Sequence, residues 1–214
     1  MRLSEYELDI TKELISIALA NAADAFSKMA GEKVLVQQFD LTLGTPDARA
    51  VLPEGFEDSL HVLTTEVKGN LEGKSYLVFN QSDTKRICNV FAPGQAVHTG
   101  DGLGELEEAL LLELDNILSA AVITQLSNFL DTFIYGGVPG LRTLSQAEAL
   151  SRFGAETQHF DVVFHIHARF KSYRTNLQPS FIWYFKSEFL AAIRVLVQNK
   201  KQMSLLKSSS VKIG

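Results

Sequence analysis

Two amphipathic stretches lying one hundred positions apart set the strongest limit on what this chain can fold into. The first opens at Ser4 with Glu7 three residues on, a capping box, and continues through Leu8, Leu14, Ile15, Ala18, Ala22, Phe26 and Met29 before Gly31. The second, about Glu105 to Asp131, offers Leu106, Leu110, Leu114, Ile117, Ala121 and Phe129 as a broad buried stripe. Laying residue n over residue n+100 places Glu13 on Glu113, Leu14 on Leu114, Ile17 on Ile117, Ala20 on Ala120 and Ser27 on Ser127. Helical periodicity alone aligns many unrelated helices, so the match gains weight only when the segments beyond each helix agree as well. They do, since each stretch leads into a hairpin pattern: His61 to Lys68 and Lys74 to Phe79 joined through Gly69 and Gly73, then Phe160 to Phe170 and Ser180 to Phe185. The expectation is an α/β (alpha+beta) fold made by internal duplication. Pseudo-repeat halves at about 5–98 and 105–198 share an extended, mainly antiparallel sheet with two long outer helices.

The remaining segments fill in that plan. Lys33 to Leu43 reads as a strand, and Gly44 to Leu60, with Pro46, Pro53 and Gly55, as an irregular connection. Ser82 is placed to cap a short helix through Val90, and Pro93, Gly94, Gly100, Gly102 and Gly104 form a joint between the halves. Ser187 to Val197 is expected to be the last helix, leaving residues 199–214, with four lysines and no acid, as a flexible basic tail. At 214 residues, 46% hydrophobic and 21% charged, the chain supplies a core for one domain without a disulfide, and its single Cys88 has no internal partner. A net charge of -5 disfavours nonspecific nucleic-acid binding. No run of about eighteen apolar residues suggests membrane insertion, and the acidic opening lacks a signal peptide's apolar stretch. A cytoplasmic location is the expectation.

Chemistry concentrates on the second long helix. Glu113 and Asn116, three residues apart, project as neighbours from one helical face, where a carboxylate and an amide address a single partner. On residue types alone a solvated helix face is the commoner reading of such a pair. His165 and His167 share one side of a strand but lack the remaining ligands of a closed zinc site, so packing or hydrogen bonding is expected of them. Cys88 is expected to pack rather than react, and Phe181, Trp183, Tyr184 and Phe185 to form core. No glycine-rich phosphate cradle stands out.

Glu113-Leu114-Asp115-Asn116, followed after twenty-two intervening residues by Pro139, resembles the Glu-x-x-Asn-x22-Pro signature of the CheC, CheX and FliY chemotaxis phosphatase family, in a CheC-like duplicated form. Asp9 and Glu13 resemble the other copy of that helix. There Ser16 stands in place of the Asn and Phe39 in place of the Pro, while in the second copy Ala109 stands where the family has Asp or Ser. The resemblance implies hydrolysis of the aspartyl phosphate on a response-regulator receiver domain, with Glu113 contacting the partner's lysine and Asn116 positioning water. It implies a motif proline at Pro139 and a degenerate second centre at Asp9, Glu13 and Ser16. It also implies no intrinsic cofactor or metal, with Mg2+ carried by the receiver, and a separate activating protein in some members. A nonenzymatic receiver-binding or flagellar-switch-like module is the alternative it leaves open.

Overall fold

The computed structural model describes residues 3–43, 52, 59–92, 102–174, 176–177 and 179–210. Most of the expected Gly44 to Leu60 connection and of the joint after Phe91 lies outside them. The order is α1 (Glu5–Ala30), β1 (Leu35–Leu43), β2 (Leu60–Gly69), β3 (Gly73–Asn80), α2 (Gln81–Phe91), α3 (Glu105–Leu130), β4 (Ile134–Gly136), β5 (Gly140–Leu144), α4 (Gln146–Glu156), β6 (Val162–Lys171), β7 (Asn176–Leu177), β8 (Ser180–Phe185) and α5 (Glu188–Ser210). The last helix therefore runs on beyond Val197, to Ser210.

All described strand pairs are antiparallel and form one sheet in the order β1-β6-β8-β3-β2-β4, with β5 also on β2 and β7 on β6. Strands cross between the halves: β1 pairs with β6, and β4 and β5 pair with β2. The two hairpins meet at the centre through β3 and β8. Phe181, Trp183 and Phe185 face the larger core under α1, α3 and α5, while Ile182 and Tyr184 face a smaller one that Ala149 and Phe153 of α4 help close. Strand β8 is thus buried on both sides, as its uninterrupted apolar run requires.

The long helices correspond residue by residue. Burial falls on Leu14, Ile15, Ala18, Leu19, Ala22, Ala23 and Phe26 in α1, and on Leu114, Asp115, Leu118, Ser119, Val122, Ile123 and Leu126 in α3. Their ends agree as well. Gly31 and Asp131 both adopt the left-handed conformation, at φ 65° and 46°. Ser27 Oγ accepts from Val34 N at 2.8 Å, and Ser127 Oγ donates to Thr132 O at 2.6 Å, so each serine ties its helix to the chain beyond it. At the start, Ser4 N donates to Glu7 Oε2 at 2.7 Å in α1, and Gly104 N to Glu107 Oε2 at 2.9 Å in α3.

Several expectations need correction. The buried stripe of α3 is not the one expected: Leu106 is exposed and Leu110, Ile117, Ala121 and Phe129 are only half-buried, because the sheet and α1 together cover the face through Leu111, Leu114, Asp115 and Leu118. The cap of α2 is Asn80, whose side chain accepts from Asp83 N at 2.7 Å, with Ser82 already inside the first turn. By length and composition α3 is apolar enough to cross a membrane, at a mean hydropathy of 1.4. In the fold its apolar face packs into the core. Helix α4 and the two-residue strand β7 were not among the expected elements.

Gly69 ends β2 at φ 112°, and a Cβ there would lie 2.4 Å from Phe133 O, the same oxygen that accepts from Asn70 N at 2.8 Å. Gly69→Ala is expected to destabilise the protein by about 2–4 kcal/mol through combined backbone strain and steric conflict. Urea unfolding midpoints test this, and an unchanged midpoint would show that β4 shifts without loss.

Candidate functional site

The turn of α3 from Glu113 to Asn116 divides cleanly between solvent and core. Glu113 and Asn116 are exposed, whereas Leu114 and Asp115 are fully buried. With Ala109 and Leu112 the exposed pair forms one wall of an open groove of about 470 Å³, and Gly136, Gly137, Val138 and Pro139 form the other. Glu113, Asn116 and Pro139, far apart in sequence, therefore line one surface depression. Ala109, the departure from the signature, lines it too.

The second wall exists because the strand beside β2 is broken. Strand β4 pairs through Val67↔Gly136 and β5 through Thr64↔Gly140, so residues 137–139 span the stretch of β2 holding Thr65 and Glu66. Gly137 N still donates to Glu66 O at 2.8 Å, but Pro139 has no N–H to add to a ladder and sits where the ladder is interrupted. Gly136 lets the wall lie close to α3: a Cβ there would approach Ile123 Cδ1 to 3.1 Å and Thr65 Cγ2 to 3.3 Å. Val138 projects almost fully into solvent at 93% exposure, with Phe133 and Tyr135 exposed nearby and their rings 5.5 Å apart.

Beneath the exposed pair lies a carboxyl group that was not among the candidates expected from sequence. Asp115 Oδ2 accepts from Thr65 Oγ1 on β2 at 2.7 Å, and Oδ1 accepts from Ser119 Oγ one turn along α3 at 3.0 Å. Burial pushes its pKa up to about 6, against the partial opposition of these two hydroxyl bonds. The available signal was an acid set among Leu111, Leu114 and Leu118, on the face of α3 that has to be apolar.

The corresponding residues of α1 are placed differently. Asp9, Glu13 and Ser16 are exposed on that helix. The strand after it, however, is the continuous β1, with only a register shift between Val36 and Gln38, and no break like that at 137–139. The side chain of Phe39 lies outside the described residues. His165 Nε2 lies 2.7 Å from Ser180 Oγ in the buried sheet, while the side chain of His167 is not among those described. Among the described residues there is no group of three or more His, Cys, Asp or Glu able to hold a metal ion. Cys88 is buried, and burial pushes its thiol up to about 11, as suits a packing residue.

The buried carboxyl gives a pH signature with a definite sign. Its folded pKa lies above the ordinary 3.8, so the folded chain holds this proton more tightly than the unfolded one. The associated stability is fully present below about pH 4 and is lost as pH rises through about 6, a loss on the order of 3 kcal/mol by pH 7. The difference in urea-unfolding free energy between Asp115→Asn and wild type is therefore expected to move in the variant's favour between pH 4 and 7. A difference that does not change with pH would contradict it.

No protein-family model matches the chain. Solved structures do resemble it. FliY from Thermotoga maritima superposes with a TM-score of 0.68 at 18% identity, over 94% of this chain and all of that one. A chain of the FliG–FliM complex from H. pylori gives 0.59 at 12% identity, over 85% of this chain and 94% of that one. A chain of the CheX–CheY–BeF3–Mg2+ complex from Borrelia burgdorferi gives 0.52 at 12% identity, over 81% and 97%. The protein has a mixed α/β fold, with an antiparallel sheet and flanking helices, in common with these three structures.

Proposed function

We propose that this protein is a phosphatase acting on the aspartyl phosphate of a response-regulator receiver domain. The carrying observation is the groove in which Glu113 and Asn116 stand together on an exposed helical face opposite Pro139. Glu113 offers a carboxylate to a cationic group of the partner, which fixes the docking of the two proteins. Asn116 both accepts and donates, so it holds a water molecule by an O–H while leaving the oxygen lone pair directed at phosphorus. Attack forms a bond from water oxygen to phosphorus as the bond from phosphorus to the receiver's carboxylate oxygen breaks. The products are free aspartate on the receiver and inorganic phosphate, with the water proton passing to solvent or phosphate. An amide is no general base, so positioning supplies the rate. The Mg2+ that neutralises the transferring group belongs to the receiver in this reading. One similar structure is named as a complex of CheX with CheY, BeF3 and Mg2+, which supports that partner class.

The same reading takes the chain as one CheC-like domain made by duplication, acting in the cytoplasm. Matching burial and caps in α1 and α3, and the symmetric strand exchange, support it. Asp9, Glu13 and Ser16 are then the degenerate second centre, beside an unbroken strand. A nonenzymatic receiver-binding or switch module is the second reading, favoured by the likeness to a chain of the FliG–FliM complex and to the FliM middle domain.

Loss of phosphoryl group from a phosphorylated receiver, measured with and without a candidate activating protein, separates the two readings. Asn116→Ala is expected to lower the acceleration by about 10²-fold with receiver binding retained. Glu113→Ala is expected to weaken receiver binding about tenfold or more. Equal decay with wild type and Asn116→Ala, despite measured binding, would favour the binding module.

A further inference from the structure

The groove's two walls are carried by different elements: Glu113 and Asn116 by α3, residues 136–139 by the strand edge beside β2. Something has to fix their separation, since a water held by Asn116 is useful only at the correct distance from a docked phosphoryl group. Besides apolar packing such as that of Ile123 on Gly136, a directional contact joins α3 to β2 at this level, the Asp115–Thr65 hydrogen bond. Asp115 is adjacent to Asn116 in the chain, and Thr65 lies on β2 within the stretch that residues 137–139 span, with its Cγ2 against Gly136.

We infer, on the basis of the phosphatase reading, that Asp115 is a positioning residue: through Thr65 its carboxylate locks the Glu113–Asn116 turn against the Gly136–Pro139 wall and sets the width of the groove.

Three observations support this. First, the position does not need an acid for packing. The corresponding sites one hundred residues earlier, in a helix with the same burial pattern, are Ile15 and Leu19, both buried, where α3 has Asp115 and Ser119. The polar pair occurs in the half that has the broken strand and the Glu/Asn face, and the apolar pair in the half that has neither. Second, no ion pair among the described residues compensates the carboxylate, which is held by the hydroxyl groups of Thr65 and Ser119. An uncompensated buried acid is a poor stabiliser, and apolar replacement of such groups is often neutral or favourable. Third, the bond is directional. Apolar contact tolerates sliding of a helix over a sheet, whereas a 2.7 Å bond between two short side chains fixes both height and rotation of the turn.

The test uses the full chain in four forms: wild type, Thr65→Val, Thr65→Ser and the double variant Asp115→Val/Thr65→Val. Folding is checked by circular dichroism and urea unfolding. The double variant replaces the polar pair with apolar side chains of similar volume and guards against failure of Thr65→Val to fold, while Ser119 Oγ, losing Asp115 Oδ1, has the carbonyl of residue 115 one turn back as an alternative acceptor. Two readouts are taken. In receiver dephosphorylation, Thr65→Val and the double variant are expected to lose about tenfold or more in kcat with KM within about threefold, and Thr65→Ser to recover most of it. In pulsed electron-electron resonance between spin labels at Ala120→Cys and Val138→Cys, in a Cys88→Ala background, the same two variants are expected to broaden or shift the distance distribution and Thr65→Ser to restore it. A folded double variant with wild-type kcat and an unchanged distribution overturns the inference. If wild type itself does not accelerate dephosphorylation, the phosphatase reading fails, and the label distances alone decide whether Asp115 sets the groove.

Discussion

Strand β1 belongs to the first half of the chain but is paired with β6 of the second, and β4 and β5 of the second half are paired with β2 of the first. Neither half completes its own share of the sheet, so the backbone donors and acceptors along these strands are satisfied only when both halves are present. The placement of the long helices is a consequence. With the hairpins joined edge to edge through β3 and β8, α1 and α3 lie together over one face, and burial falls on equivalent positions of each. The groove is a by-product of that exchange, because it forms where the crossing strand from the second half breaks against β2.

The two halves are alike in frame and unlike in chemistry. Strand β1 is continuous for nine residues with one irregularity, whereas its counterpart is split into three and five residues by Gly137-Val138-Pro139, of which Gly137 N keeps a bond to Glu66 O. The half with the split strand also carries Asn116 and the buried Asp115–Thr65 link. The half with the continuous strand has Ser16, with Ile15 and Leu19 packed beneath. A frame repeated twice and equipped once leaves the first copy of the helix face available for other contacts, without the recess that distinguishes the second.

The long elements were legible in the sequence for physical reasons that also explain what was missed. Helices α1 and α3 are long enough for their periodicity to be read locally, as is the capping box of α1, and the β2–β3 hairpin is announced by Gly69 and Gly73. Helical geometry placed Glu113 and Asn116 on one face, and the resemblance of their spacing to Pro139 singled them out as a site. Strand β4 has three residues and exists only because β2 lies beside it, so no local pattern specifies it. Helix α4 was legible in principle: Ser145 and Glu148 form a capping box, with Ser145 N donating to Glu148 Oε2 at 2.8 Å ahead of buried Ala149 and Phe153. The stripe on α3 was misplaced because leucines occur almost all round that helix, leaving its rotation to be decided by what it packs on. Asp115 was passed over because an acid in a leucine-rich turn reads as solvent-facing until the sheet is seen to supply Thr65.

The crossing of strands also bears on how the chain reaches this state. Leu35 pairs with Lys171 and Leu43 with Phe164, so β1 stays without this ladder until β6, in the second half, has been synthesised. Contacts of such sequence separation form late and carry a large loop-closure penalty. On the ribosome, the emerging first half presents an unsatisfied strand edge and a helix whose apolar face has no α3 to meet. Its native environment arrives only with the second half, so the first repeat reaches its native strand pairing after β6 has emerged rather than when its own synthesis ends.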